Sequence, residues 1–95
     1  MEIIIDKEAV DYIKRQSPDN SIKIMARKVT AGWCSSYQPF VEMGEPRNKK
    51  YFEQYKSGDI DVYVYAGMRA QDDRLRVSFG KILWMKSLAV DGLIL

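Results

Sequence analysis

The sequence holds one thiol, Cys34, and no imidazole. Without histidine, the usual general base at neutral pH and the commonest nitrogen ligand for metals are both missing. The segment left with chemical potential is Ala31-Gly32-Trp33-Cys34-Ser35-Ser36-Tyr37. Gly32, Ser35 and Ser36 permit unusual backbone angles and leave the sulfur few bulky neighbours. Such a loop suits metal binding or sulfur exchange through the thiolate, with its backbone amides stabilising the negative sulfur. Trp33 beside the thiol is placed to act as a lid or a partner contact. The bland alternative for Cys34 is a small buried hydrophobe.

Two other groups of residues could do chemistry. Asp59 with Asp61, Asp72 with Asp73, and Glu42 with Glu45 are candidate oxygen ligands or acid–base pairs. None has calcium-loop spacing, and turn aspartates ordinarily satisfy local amides. Arg47, Lys49, Lys50, Arg69, Arg74, Arg76 and Lys81 are interleaved with Tyr51, Tyr55, Tyr63 and Tyr65. A basic face with aromatics is how small β domains hold single-stranded nucleic acid. Exposed sheet faces carry Arg and Tyr in any case, and 15 basic against 13 acidic residues leave a net charge of only +2. That near-neutral total argues against a nucleic-acid partner.

The elements that position these residues follow from periodicity. Ile3-Ile4-Ile5 is a short apolar strand, and Asp6 after it is a good helix N-cap. Ile5 and Val10 then fall at the positions of a hydrophobic staple. Ala9, Val10 and Ile13 recur at helical spacing, Lys14 and Arg15 complement the far end of the dipole, and Ser17-Pro18 stops the helix. The remainder reads as β. Ile22, Ile24 and Ala26 alternate with Lys23, Met25 and Arg27, as do Ile60, Val62 and Val64 with Asp61, Tyr63 and Tyr65. Leu75, Val77 and Phe79 repeat the pattern. Thr30 to Ser36 is expected to interrupt with a loop, and Pro39 puts Tyr37 to Met43 at a sheet edge or a bulge. Tyr51 to Tyr55 reads equally as strand or short helix. The apolar end from Ile82 to Leu95 supplies one or two further strands, and Trp84 reads as a packing residue.

The expected fold is therefore α+β and mainly β: one N-terminal helix, then about six short strands in a small curled mixed sheet or sandwich. Ninety-five residues suit one domain over 1–95. At 46% hydrophobic and 29% charged the chain can build a core. No apolar run approaches the ~18 residues of a membrane span, no signal peptide is legible, and one cysteine fits a reducing cytoplasm.

The loop around Cys34 resembles that of the HesB/IscA-like family, the A-type iron–sulfur cluster carriers. Those proteins open with a strand and a capped helix and run a strand into a Ser-Gly-Cys-Ser-Gly loop followed by an aromatic. Ala31-Gly32-Trp33-Cys34-Ser35-Ser36-Tyr37 is similar, with Trp33 inserted and Ser36 in place of the second glycine. The family's C-terminal Cys-Gly-Cys has no counterpart before Leu93-Ile94-Leu95. A short HesB-like subgroup carries a Cys-Cys or Cys-selenocysteine pair here, which Cys34-Ser35 resembles with serine in second place.

The resemblance implies a HesB-like domain that binds or relays iron, an iron–sulfur cluster or activated sulfur. Cys34 would be the metal ligand or persulfide carrier, and Gly32, Trp33, Ser35 and Ser36 would shape its loop. A cluster needs about four ligands, so two chains paired as a homodimer would still borrow thiols from assembly or acceptor proteins. A second expectation is a HesB-like interaction module without metal chemistry, with Cys34 buried. A third is a small nucleic-acid-binding β domain. No phosphate-cradling motif or histidine-activated nucleophile exists, so no enzyme is expected.

Overall fold

The computed structural model describes residues 1–82 and 85–94. Strand β1 (Glu2–Ile5) leads into helix α1 (Lys7–Gln16), whose Ala9 and Ile13 share one face and are fully buried. Asp6 flanks the helix in extended conformation, as its residue type predicts, yet its carboxylate makes no capping bond. It accepts instead from the Arg76 guanidinium at 3.0 and 3.3 Å, because a full charge outcompetes the first-turn amides. The helix ends where Ser17 donates its backbone N–H to Ile13 O (2.7 Å), one residue before Pro18.

Seven further strands build the layers: β2 (Ser21–Ala31), β3 (Cys34–Met43), β4 (Phe52–Ser57), β5 (Ile60–Tyr65), β6 (Arg69–Ala70), β7 (Arg74–Ile82) and β8 (Met85–Asp91); a last short strand is β9 (Leu93–Ile94). One sheet runs β1-β7-β8, the second β3-β2-β5-β4, and β6 pairs with β9. Both larger sheets are mixed, with β1 parallel to β7 and β2 parallel to β5. The protein is thus mainly β with one helix. More strands follow the helix than the expected six, and β2 and β3 are long rather than short, at 11 and 10 residues.

The core forms where the apolar faces meet. Ile22 and Ile24 of β2, Ile60, Val62 and Val64 of β5, and Leu75 and Val77 of β7 are buried in one cluster with Ile13 of the helix. Each of the strand residues comes from an alternating segment, so period-2 patterning selected the buried face. A polar clasp joins helix to sheet behind this core. The single Ser17 hydroxyl hydrogen faces Ser21 O and Asp19 Oδ1, each 2.9 Å from Oγ, Ser17 Oγ accepts from the Ser21 amide at 3.1 Å, and Ser21 Oγ donates to Asp19 Oδ1 at 2.5 Å. These bonds satisfy two buried serines and hold the Asp19 carboxyl below its ordinary range, the Ser21 hydroxyl contributing most.

Two open points resolve. Tyr51 closes a 3₁₀ turn (Lys49–Tyr51), in which the Asn48 side chain accepts from the Lys50 amide, and Phe52 starts β4. Pro39 lies in β3, an edge strand of its sheet. Trp84 and Leu95 lie outside the described residues, as do the surroundings of the Lys81 side chain.

Candidate functional site

The segment expected to be a loop around the thiol is not one. β2 and β3 pair in register from Ile22↔Met43 to Ala31↔Cys34, leaving only Gly32 and Trp33 as the turn. Gly32 has φ +62 while Trp33 has no positive φ, the arrangement of a type II′ hairpin that demands glycine in first place. Ser35 and Ser36 stand opposite Thr30 and Val29, so they extend the ladder rather than shape a loop. Small residues signal a loop only in the absence of a partner strand, and here each rung has one.

On its other side β2 pairs with β5 only from Ser21 to Ile24. At roughly 3.4 Å per residue, the stretch from Ile24 to Ala31 carries the tip about 24 Å past that pairing. β3 also meets β8 of the other sheet. Thr30 to Pro39 is exposed throughout, Trp33 is 97% exposed, and the Cys34 thiol is free and exposed. The buried-hydrophobe alternative for Cys34 fails, because its side chain is exposed at the hairpin tip.

The acidic pairs are drawn toward cations rather than toward each other. Asp59 meets Lys14 (3.3 Å), Asp73 the N-terminal ammonium (3.3 Å), Glu42 meets Lys23 (3.5 Å) and Glu45 meets Lys49 (3.1 Å). Among the described residues no group of three or more His, Cys, Asp or Glu gathers. One thiolate at an open tip is not the donor set of an iron or iron–sulfur centre, so the residues present in one chain do not fit that cofactor.

The basic and aromatic set separates in two. Arg74 and Arg76 pair with Glu2 (2.8 Å) and Asp6 (3.0 Å) on the other sheet, and Tyr55 donates to Glu53 (2.7 Å), which raises its phenol above the ordinary value. Arg69 is exposed on β6. Arg47, Lys49, Lys50, Tyr51, Tyr63 and Tyr65 do come together, where the 44–51 segment folds over the outer face of β2 and β5. Glu45 anchors it by accepting from the Tyr63 hydroxyl (3.5 Å) and from Lys49, whose pKa that hydrogen bond raises. Tyr63 is thereby reduced to 2% exposure.

Between this segment and the sheet lies a groove of about 370 Å³. Met25, Pro46, Tyr51, Phe52 and Tyr65 supply apolar walls, and Lys23 and Arg47 stand among them. Lys23, Met25 and Phe52 were not singled out from the sequence. Alternation along β2 does place Lys23, Met25 and Arg27 on one face, but only strand pairing brings that face beside Phe52 and Tyr65. Cys34 shares the face with Phe40, roughly 20 Å farther along β3, so the thiol and the groove are separate places.

A family model described as the CC/Se motif containing family matches residues 1–93. No curated protein and no solved structure matches the chain. The family match overturns the resemblance to the HesB/IscA-like carriers. That resemblance leaned on a cysteine loop between two strands, and the structure puts a two-residue hairpin turn in its place.

Proposed function

The chain belongs to the CC/Se motif containing family, and from that premise we propose a non-enzymatic, thiol-presenting binding module whose working group is Cys34. The observation that carries this reading is the exposure of the only thiol at the end of the β2–β3 arm. The family is described by a CC/Se motif, and Cys34 is the one residue of this chain able to stand as a cysteine in it. Ser35 follows it. A serine hydroxyl neither closes a disulfide with its neighbour nor binds soft metals, so Cys34 acts as a monothiol. As a thiolate it donates one soft ligand to a metal ion carried as cargo, whose remaining ligands come from a partner seated on the tip.

Anaerobic titration with cadmium tests the reading. Thiolate charge-transfer absorbance is expected in the native protein and lost in Cys34→Ser. If no band develops, and the native thiol reacts with a disulfide reagent no faster than glutathione does, the thiol role is refuted.

Trp33 supports a second reading, a purely protein-binding tip. A tryptophan 97% exposed is an uncovered anchor of the kind that dominates interface energetics. The two readings separate by substitution: Trp33→Ala disables a protein-binding tip, while Cys34→Ser leaves it intact.

A further inference from the structure

On the outer face of the β3-β2-β5-β4 sheet, four side chains form a single row across the strands. Phe40 stands opposite Met25, and Tyr65 opposite Phe52. The β2–β5 pairing ends at Ile24↔Val64, and Met25 and Tyr65, one residue beyond it on each strand, line the same groove. The row therefore reads Phe40, Met25, Tyr65, Phe52, spanning three strand gaps or about 14 Å. Tyr65 is exposed, and Phe52 meets it edge-on at 5.5 Å. Tyr51 stands at the end of the row, exposed, with Lys50 Nζ 5.2 Å from its ring centre.

Charge on this face is unbalanced in a specific way. Two carboxylates beside it, Glu42 and Glu45, are already taken by Lys23 and Lys49. Arg27, stacked 5.3 Å over Phe40, has no ion-pair partner among the described residues, and neither have Arg47 and Lys50. Asp61 shares the face but sits four residues down β5 from Tyr65, roughly 13 Å away, where Gln54 donates to it. Three uncompensated cations thus flank a strip of aromatic surface, although the whole chain is only +2. Ligands respond to the local field rather than to the total.

We infer that this face binds single-stranded nucleic acid, with two or three bases stacked along Tyr65, Phe52 and Tyr51 and the phosphates held by Arg47, Lys50 and Arg27. Flat π surfaces beside unpaired cations complement a ligand that carries a planar ring and an anion in each repeating unit. A simple polyanion leaves the aromatics unused, and an apolar peptide leaves the cations unused. A duplex hides its base faces and so engages the cations alone. The inference is independent of the thiol reading, since Cys34 lies beyond the strip.

Fluorescence anisotropy with labelled oligothymidylate and oligouridylate of about 12 nucleotides, at low salt, tests it, with duplex and heparin as competitors. Saturable binding is expected, with single strands competing better than duplex. Tyr65→Ala weakens it about 5- to 150-fold, the range of one lost base–aromatic stack. Arg47→Ala lowers the slope of log affinity against log salt by about 0.7. Cys34→Ser leaves binding unchanged. The substituted ring, Tyr65, and the substituted cation, Arg47, are both exposed, and circular dichroism checks that the variants stay folded. Absence of binding at low salt, equal competition by heparin with no effect of Tyr65→Ala, or loss of binding in Cys34→Ser would each overturn the inference.

Discussion

The two ends of β2 behave as different molecules. At its base, Ile22 and Ile24 are fully buried between β3 and β5, in one cluster with Ile13 of the helix and Leu75 and Val77 of β7. At its tip, Lys28 and Thr30 occupy the same face by alternation, yet they are exposed on a two-stranded arm. Strand conformation and pairing with β3 continue unchanged, so the difference lies in what covers the face. Stability resides where two layers meet. The arm, held mainly by its own ladder, carries Trp33 and Cys34 at little cost to the fold, and is free to serve recognition.

The sharpest way to break this contrast is to damage the base. Leu75→Ala, at a fully buried position on β7, is expected to cost about 2–5 kcal/mol, read as a lowered denaturant midpoint. Gly92→Ala tests the same region by strain. Gly92 has φ +103, and an added Cβ would lie 2.6 Å from Arg74 O, a backbone atom that cannot step aside. A loss of at least about 1–3 kcal/mol is expected in thermal unfolding.

At the tip the same kind of change is milder. Gly32 has φ +62 but open space around it, so Gly32→Ala carries only the conformational penalty, about 1–2 kcal/mol. Its signature is faster amide exchange confined to the arm; a global loss of protection equal to that of Gly92→Ala would erase the distinction between arm and base. Trp33→Ala should change stability by less than about 0.5 kcal/mol, as surface substitutions do, while removing the tip's apolar anchor.

A pH measurement sharpens the picture at the helix–sheet clasp. Asp19 is held below its ordinary value of 3.8 by hydrogen bonds from Ser21 and Ser17. A depressed folded pKa means the contribution is full above that ordinary value and is lost as pH falls through the folded one. Wild type and Asp19→Asn should therefore differ in Tm at neutral pH and converge in strong acid. A constant gap across the titration would show that the carboxylate's charge is irrelevant there.

Much of the local structure was legible. Alternation in Ile22–Ala26, Ile60–Tyr65 and Leu75–Phe79 identified strands and their buried faces, and Asp6 and Pro18 bracketed the helix. The site was less legible. Gly32-Trp33-Cys34-Ser35-Ser36 has loop composition, and nothing local announces that its two halves pair rung by rung. Tyr63 shows the converse failure: it alternates onto the outer face with Tyr65, yet it is buried because Glu45 and Lys49 draw a distant segment across it.

Local sterics and side-chain polarity act within a few residues, so the amino-acid order determined by itself the helix, most strand positions and the presence of one thiol without imidazole. Which face of a strand is covered, and by what, depends on segments brought from far along the chain. Register and layer stacking placed Phe40, Met25, Tyr65 and Phe52 on one face and left Cys34 exposed. Only the tertiary structure made those decisions, because they are settled by long-range pairing and burial, which a one-dimensional pattern does not contain.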